Sequence, residues 1–154
     1  MRDIKTLASF LDRISDSVVK DLATAQRETA ESIHGDTQSL APKDTGKYAD
    51  SIKVSKTEIT SNKIETKIYT DSQVVTSKGK SYNLGFLLEN GTAPHMIYPV
   101  NAKALHFVIG GEDIFTKYVK HPGFKAMPHF IPALNKNKSL YLKKIGSVLD
   151  KEFK

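Results

Sequence analysis

The N-terminal part of the chain repeats apolar residues with the period of an α-helix. They recur every three or four residues among charged ones: Ile4, Leu7, Leu11, Ile14, Val18, Leu22, Ala25 and Ile33. This predicts one amphipathic helix over residues 4–33, ended by a left-handed cap at His34-Gly35. At ~1.5 Å per residue it would be about 45 Å long, more than the core of one small domain needs. Its stripe therefore faces another subunit or lies across a sheet. The residues predicted to pack on the sheet are Leu7, Leu11, Ile14, Val18 and Leu22.

After the helix, the pattern up to residue 81 changes to the period of β-strands. Pro42 and the Asp44-Thr45-Gly46 turn reverse the chain, and Asp44 or Thr45 is expected to cap a short helical turn that ends at Ser51. Alternation over residues 51–56 and 58–70 predicts antiparallel strands with a hairpin turn at Ser61-Asn62-Lys63. Residues 76–81 form an exposed loop.

The C-terminal half is predicted to combine a short helix, a hairpin and a second long helix. The short helix covers residues 82–89 and ends at Asn90-Gly91. A buried strand over 104–109 turns at Gly110-Gly111 into a partner strand over 115–119. A Pro-rich loop over 121–128 then leads into an amphipathic helix over 130–153. The sequence therefore predicts an α+β fold in which an N-terminal and a C-terminal helix pack on a small, mostly antiparallel sheet, as one domain over residues 1–154.

Composition narrows the chemistry. The chain has 154 residues, 39% hydrophobic and 26% charged, and no cysteine. The absence of cysteine excludes disulfides, Cys-ligated zinc, iron–sulfur clusters and thiol catalysis. The N-terminus lacks the apolar run of a secretory signal, and no apolar stretch approaches the ~20 residues of a membrane helix. We expect a protein that is soluble and cytoplasmic at synthesis and makes no membrane contact.

The net charge of +6 is concentrated in the C-terminal part of the chain. Seven lysines occur between Phe115 and Lys144, and no acidic residue lies in this segment. They are Lys117, Lys120, Lys125, Lys136, Lys138, Lys143 and Lys144. Because all seven are Lys and none is Arg, base reading and bidentate phosphate binding are disfavoured. We interpret the last four as a candidate partner surface that meets an acidic protein or non-specifically contacts DNA.

Catalytic motifs are missing from the sequence: it has no Gly-rich phosphate loop, no G-x-S-x-G elbow and no H-E-x-x-H. Four of the five histidines, His95, His106, His121 and His129, lie within 35 residues of one another. A zinc site is disfavoured because no pair of these histidines has helical ligand spacing and no acid lies within ten residues of His129. We expect these rings to pack at loop bases and bond to the backbone, or to face a partner.

A series of short motifs follows in a fixed order. Each is weak alone, since Gly91 and Gly123 suit turns and Pro132 suits a first helical turn. In order they are Ala41-Pro42-Lys43-Asp44-Thr45-Gly46-Lys47, Ser51-Ile52, Leu88-Glu89-Asn90-Gly91-Thr92, His95 to Pro99, Lys103-Ala104-Leu105, Val119-Lys120-His121-Pro122-Gly123 and Pro128-His129-Phe130-Ile131-Pro132-Ala133-Leu134.

Together these motifs, which span residues 41–134, resemble the tail-completion or head–tail joining family of long-tailed bacteriophages and prophages. The first motif matches the family pattern A-P-x-D-T-G followed by a basic residue. Asn90 stands where the family usually has Phe, and Ile131 stands where it has a basic residue. The resemblance implies scaffold positions, with no catalytic residue, metal or cofactor. These positions are Pro42, Asp44, Thr45, Gly46, Glu89, Gly91, Thr92, His95, Pro99, His121, Pro122, Gly123, Pro128, Phe130 and Pro132.

The same resemblance implies a non-enzymatic virion component of the neck. Such a protein would assemble in the host bacterial cytoplasm as a homo-oligomeric ring, of six- or twelve-fold symmetry, and remain in the virion. Its partners would be head-completion or connector proteins on one side and a tail terminator or tail-tube protein on the other. Two alternatives stay open: a small basic nucleic-acid-binding protein that uses its C-terminal lysines, and a His-dependent hydrolase.

Overall fold

The computed structural model describes residues 4–76, 79–100 and 102–152, with side chains in the first helix from Asp16 onward. The described residues form four helices: α1 (Ile4–Leu40), α2 (Lys47–Asp50), α3 (Leu84–Asn90) and α4 (Phe130–Glu152). The strands are β1 (Ile52–Val54), β2 (Glu58–Thr60), β3 (Lys63–Glu65), β4 (Ile68–Thr70), β5 (Gln73–Val75), β6 (Ser81–Asn83), β7 (His95–Ile97), β8 (Leu105–Ile109), β9 (Glu112–Thr116) and β10 (Val119–His121). The predicted α+β class is confirmed.

The chain divides into two compact units, which we describe separately. Unit 1 contains Met1–Tyr69 and His129–Lys154, and unit 2 contains Thr70–Pro128. Among the described residues the strands form five separate two-stranded sheets rather than one sheet. The prediction of a single domain over residues 1–154 stays a prediction.

Helix α1 is seven residues longer than the sequence pattern predicts. The predicted cap at His34-Gly35 is wrong, because Gly35 has no positive φ and the helix continues to Leu40. Contacts with the rest of unit 1 stabilise this last part of the helix. His34 Nε2 donates to the Ile52 carbonyl at 2.8 Å, and Gln38 Nε2 donates to the Ala49 carbonyl at 3.2 Å. A glycine in the interior of a helix costs only about 1 kcal/mol, which these contacts offset.

Helix α1 packs mainly along α4, with smaller contacts to β1 and β3. Helix α1 thus contacts the strands as predicted, and its larger contact with α4 is one that the sequence pattern did not indicate. Of the predicted sheet-facing residues, Val18 and Leu22 are half-buried, whereas the side chains of Leu7, Leu11 and Ile14 lie outside the described residues. Three ion pairs join the helices: Lys136–Asp36 at 2.6 Å, Lys144–Glu28 at 2.6 Å and Lys151–Asp21 at 2.9 Å.

The strands of unit 1 form one long hairpin in two segments. β2 pairs with β3 in antiparallel register, with Thr60 opposite Lys63, so the predicted turn at Ser61-Asn62 is confirmed. β1 pairs with β4 below it. Between the two segments the Ser55 amide donates to the Lys67 carbonyl at 2.8 Å, which keeps the two arms together.

The short helix α2 forms where it was predicted, but its cap differs. Neither Asp44 nor Thr45 caps it; the N-cap is Gly46 at φ 78°, with no side-chain hydrogen bond. This left-handed conformation is unfavourable for a residue with a Cβ atom, whereas Gly adopts it readily. The turn directs Ala49 and the following Ile52 into a small core with Ala41, against which Tyr48, Ile68 and Phe130 pack.

Unit 2 consists of three two-stranded ribbons and α3. β5 pairs with β6, β8 with β9, and β7 with β10. The predicted hairpin partner over residues 115–119 is wrong, since β9 covers Glu112–Thr116 and Val119 begins β10. The predicted burial of the strand over 104–109 is also wrong, because Val108 and Ile109 are 59% and 60% exposed. Helix α3 begins at Leu84, two residues later than predicted, and Asn83 caps it by accepting a hydrogen bond from the Phe86 amide.

Candidate functional site

The first and the last motif meet in the core of unit 1. The Tyr48 hydroxyl, one residue after the first motif, lies 2.6 Å from Nε2 of His129. His129 is fully buried, and its ring contacts those of Tyr48 edge-on and of Phe130. Because a buried polar ring needs hydrogen-bond partners, this pair fixes the entry of α4 against α2. Phe130 and Pro132 lie in the first turn of α4, whereas Pro42, Asp44, Thr45 and Pro128 are on or near the surface.

The middle motifs interlock inside unit 2 through close backbone contact. Thr92 and Phe124 form an antiparallel bridge, and the Thr92 hydroxyl also accepts from the Phe124 amide at 3.2 Å. A Cβ atom on Gly123 would lie 2.1 Å from the Thr92 carbonyl oxygen, and one on Gly91 would lie 2.7 Å from the Ala126 amide nitrogen. Both glycines have positive φ, at 77° and 71°. These two positions therefore accept only glycine without a shift of the backbone.

The remaining motif residues surround this interlock. The rings of His95 and His121 are 5.0 Å apart, on opposite residues of the β7–β10 ribbon. His95 Nδ1 donates to the Ala93 carbonyl at 2.9 Å, and His121 Nδ1 accepts from the Gly123 amide at 3.0 Å. Of the other three residues, Glu89 in α3 and Pro99 are half-buried, and Pro122 is exposed. The motifs thus hold loops in place, and the assignment of these residues as family scaffold positions stays a prediction.

The histidines bond to the protein itself. His106 lies 2.7 Å from Asp113 and stacks on Phe115, with ring centroids 4.6 Å apart. With His34, His95, His121 and His129 engaged as described above, each ring has a local partner. Within the described ranges no group of three or more metal-ligating side chains comes together.

The seven lysines do not form one unpaired surface. Lys117, Lys120 and Lys125 belong to unit 2, whereas Lys136, Lys138, Lys143 and Lys144 lie on α4. Lys136 and Lys144 form ion pairs with acids of α1, which the sequence pattern did not indicate because those acids are about a hundred residues away. Among the residues with described side chains, Lys138 and Lys143 form no ion pair. Lys136 and Lys144 are thus partly compensated, and the assignment of Lys136, Lys138, Lys143 and Lys144 as a candidate partner surface stays a prediction.

The paired lysines lower the pKa of the acids that they contact. The hydrogen bond from Lys136, followed by one from Asn137, lowers the pKa of Asp36 below its usual value. The hydrogen bond and charge of Lys144 lower the pKa of Glu28 in the same way. Both acids are ionised at neutral pH, and they compensate part of the positive charge of α4.

A narrow groove lies in unit 1 between α1, α4 and the β-hairpin. Its volume is about 370 Å³, at the small end of the range for ligand pockets. Its walls are mostly apolar, and Lys138 is the one charged residue among those that line it: Gln26, Thr29, Ala30, Ile33, Thr66, Ile68, Leu134, Asn135, Asn137, Lys138 and Tyr141. Sequence reasoning missed this groove because its three walls come from distant segments.

Unit 2 exposes many large apolar side chains, and this too was missed. Phe115 is 69% exposed, Phe86 67% and Val75 66%. Several others are more than a third exposed: Val74, Tyr82, Met96, Ile97, Tyr98, Val100, Val108, Ile109, Tyr118 and Met127. Exposed apolar side chains mark surfaces that bind other proteins where they form a contiguous patch. The sequence predicted a buried strand over 104–109, but no signal in it could show that a sheet of only two strands leaves Val108 and Ile109 uncovered.

Fold and surfaces together define a small α+β protein whose candidate functional features are contact surfaces. The chain belongs to the family described as "Bacteriophage HK97-gp10, putative tail-component", whose family model matches residues 5–91. It is therefore a bacteriophage tail component, a class of virion protein that works in contact with other virion proteins. The match includes α1, the first motif and Glu89-Asn90-Gly91, and it ends before Thr92. The resemblance to a phage tail and neck family is thereby confirmed.

Comparison with curated proteins and with solved structures finds no significant match to this chain. In the part of the chain that the structure describes, none of the helices is both long enough and apolar enough to cross a membrane.

Proposed function

We propose that this chain is a structural, non-enzymatic subunit of the phage neck that joins the DNA-filled head to the tail. It assembles in the host bacterial cytoplasm as a six- or twelve-fold ring and remains in the virion. One side of the ring binds head-completion or connector proteins, and the other binds the tail terminator or tail-tube protein. Its membership of a tail-component family and its order of motifs support this proposal.

The single observation that carries the proposal is the incomplete burial of unit 2. A two-stranded ribbon is marginally stable in water, and its unpaired edges and apolar face favour pairing with another chain. Unit 2 has three such ribbons, and its described residues include only two buried ones, Thr70 and Gly85. Unpaired strand edges and exposed apolar side chains are expected of a subunit that completes its apolar contacts on assembly. Neighbouring subunits in a ring would supply them.

The charge pattern favours a neck protein over a nucleic-acid-binding protein. Lys136, Lys144 and Lys151 are compensated by acids of α1, so fewer cations remain on α4 for phosphate contacts. Non-specific DNA binding requires several uncompensated lysines and weakens steeply with salt. We expect at most a weak contact with DNA in the channel of the ring. A fluorescence titration with duplex DNA at two salt concentrations tests this alternative.

The function is tested in a phage that encodes this chain. Deletion of its gene should leave full heads and free tails unjoined in electron micrographs of infected cells. Complementation with the wild-type chain should restore joined, infectious particles. Joined particles in the deletion strain would contradict the proposal, and absence of free tails would place the protein in tail assembly instead of joining.

Charge reversal of the candidate partner surface refines the test. Reversal at Lys136 and Lys144 places like charges against Asp36 and Glu28, so it would disturb the α1–α4 contact as well as any partner. The variant Lys138→Glu/Lys143→Glu avoids this problem, because neither lysine forms an ion pair among the described side chains. We expect it to fold normally and to lower the yield of joined particles. Normal yields would show that the two lysines are only solvated.

A further inference from the structure

The groove of unit 1 favours an apolar occupant with a negative charge, because its walls are mostly apolar and Lys138 is the one charged residue that lines it. Several of its polar wall residues already have partners, since Asn137 bonds to Asp36 and Ser32, and Tyr141 donates to Gln26. No buried side-chain nitrogen or oxygen within the described residues lacks a partner. An occupant therefore gains from apolar contact with residues such as Leu134, which is 53% exposed, and from the positive charge of Lys138.

One hairpin of the same chain has the complementary character. The β8–β9 hairpin exposes Val108 and Ile109 immediately before its Gly110-Gly111 turn and carries Glu112 and Asp113 immediately after it. Asp113 is already bonded to His106, whereas Glu112 forms no ion pair with any described residue. An apolar tip with a free acid is thus available. The β5–β6 hairpin, by contrast, has Lys80 in its loop, and the β2–β3 hairpin turns at polar Ser61-Asn62.

The two surfaces also match in spacing. Ile109 and Glu112 are directly opposite in the β8–β9 register, so they share one face with their Cβ atoms about 5 Å apart. Leu134 and Lys138 are four residues apart on α4, which places their Cβ atoms about 5–6 Å apart on one helix face. Ile109 can therefore pack on Leu134 while Glu112 pairs with Lys138.

We propose that the β8–β9 hairpin of one copy inserts its tip into the α1–α4 groove of a second copy. The occupant of the groove is thus another subunit of this chain, held by Ile109 on Leu134 and by Glu112 with Lys138. The two surfaces differ, so the contact is head-to-tail, and repetition around an axis closes a ring. This inference rests on the proposed ring and names the contact that builds it.

Disulfide trapping tests the contact directly, because the natural chain contains no cysteine. Full-length Ile109→Cys and Leu134→Cys variants, one with a mass tag, are mixed at up to about 1 mM and oxidised with diamide. We expect a mixed dimer on a non-reducing gel at least tenfold above the level of Val75→Cys mixed with Leu134→Cys, since Val75 is equally exposed but lies on another ribbon. No excess over this control overturns the proposal, and so does an Ile109→Cys dimer that forms equally well without the Leu134→Cys partner.

A charge exchange tests the ion pair independently. Lys138→Glu and Glu112→Lys should each weaken self-association about tenfold in sedimentation, which corresponds to about 1.4 kcal/mol. The double variant Lys138→Glu/Glu112→Lys should recover most of the affinity, because the pair is rebuilt with its charges exchanged. Unchanged thermal unfolding of all three controls for folding. A double variant as weak as the single ones overturns the proposal.

The failures of the two proposals are distinguishable. A closed oligomer in sedimentation without the 109–134 crosslink rejects the hairpin contact and leaves the ring in place. A wild-type chain that stays monomeric at about 1 mM rejects the hairpin contact as well. A phage that joins heads and tails without this chain rejects the proposed function, whatever the crosslinks show.

Discussion

The two units of this chain contain similar proportions of apolar residues but bury them to different extents. Unit 1 buries Ile52, Ala133 and His129 almost completely and clamps its two long helices with three ion pairs. Unit 2 buries no large side chain among its described residues and exposes Phe86 and Phe115 by about two thirds. The difference shows that one region completes a core within the chain, whereas the other leaves its large apolar side chains exposed.

The motif residues also stabilise the two units in different ways. In unit 1 they stabilise the fold by side-chain packing, as in the contact between Tyr48 and His129. In unit 2 they stabilise by backbone proximity, since Gly91 and Gly123 allow two loops to touch. A region with little side-chain burial depends on main-chain hydrogen bonds for its shape. We therefore expect substitutions in the two units to affect different observables.

The largest expected effect on stability is in the core of unit 1. Ile52 is 2% exposed, and Ile52→Ala should lower the free energy of unfolding by about 2–5 kcal/mol in chemical denaturation, because it removes buried methyl groups and leaves a cavity. The matched control is Phe115→Ala, a larger deletion at a site 69% exposed in unit 2. It should change the stability of the free chain by less than about 0.5 kcal/mol. Similar losses for both variants would break the comparison.

The second effect concerns the interlock of unit 2. Gly123→Ala should destabilise that unit by about 2 kcal/mol or more, because a left-handed residue with a Cβ atom is strained and this Cβ would overlap the Thr92 carbonyl oxygen. Hydrogen exchange at the Thr92 and Phe124 amides should accelerate, since these amides form the bridge. Gly111→Ala is the control, because it shares a positive φ but has no atom within 4 Å of the added Cβ. Equal exchange in both variants would show that close contact at Gly123 is unimportant.

Local patterns predicted most elements, and tertiary contacts account for most of the errors. The period of the two long helices, the turn at Ser61-Asn62 and the helix end at Asn90-Gly91 follow from neighbouring residues, so the sequence indicated them. The continuation of α1 past Gly35 depends on His34 contacting Ile52 and on Asp36 contacting Lys136, seventeen or more residues away. The pairing of β10 with β7 across more than twenty residues is equally invisible to a local pattern.

The candidate surfaces were less predictable than the fold. Four lysines of α4 formed a basic run in the sequence, yet two of them are paired with acids of α1. The sequence does not show which side of α1 faces α4, so the pairing of those acids with the lysines could not be predicted. Similarly, the strand over 104–109 was predicted to be buried, although β8 lies in a two-stranded ribbon that leaves Val108 and Ile109 exposed. The sequence showed which residues are charged or apolar, but their exposure depends on which other elements pack on them.

A smaller effect is expected at the contact between the first and last motifs. Tyr48→Phe removes the hydroxyl that lies 2.6 Å from the buried His129 ring, and a buried polar group that loses a partner costs about 1–2 kcal/mol. Thermal and chemical unfolding should both report this loss. Tyr69→Phe is the control, because Tyr69 is in the same unit but 41% exposed. An equal cost for the two variants would show that the Tyr48–His129 hydrogen bond does not fix the start of α4.

The smallest effect is the pH dependence of the α1–α4 clamp. Lys136 and Lys144 lower the pKa of Asp36 and Glu28, so both pairs stabilise the folded chain above the usual carboxyl pKa of about 4. This contribution is lost as the pH falls through the lowered pKa values, because the unfolded chain then binds protons more readily than the folded one. The stability difference between the natural chain and Asp36→Asn/Glu28→Gln should therefore shrink from pH 7 to pH 3. The difference should also shrink in high salt, since the pairs are partly exposed.

Asp150→Asn removes an exposed acid of α4 without a described ion pair and should leave the pH profile unchanged. A difference that stays constant with pH would mean that the helix pair is held by packing alone.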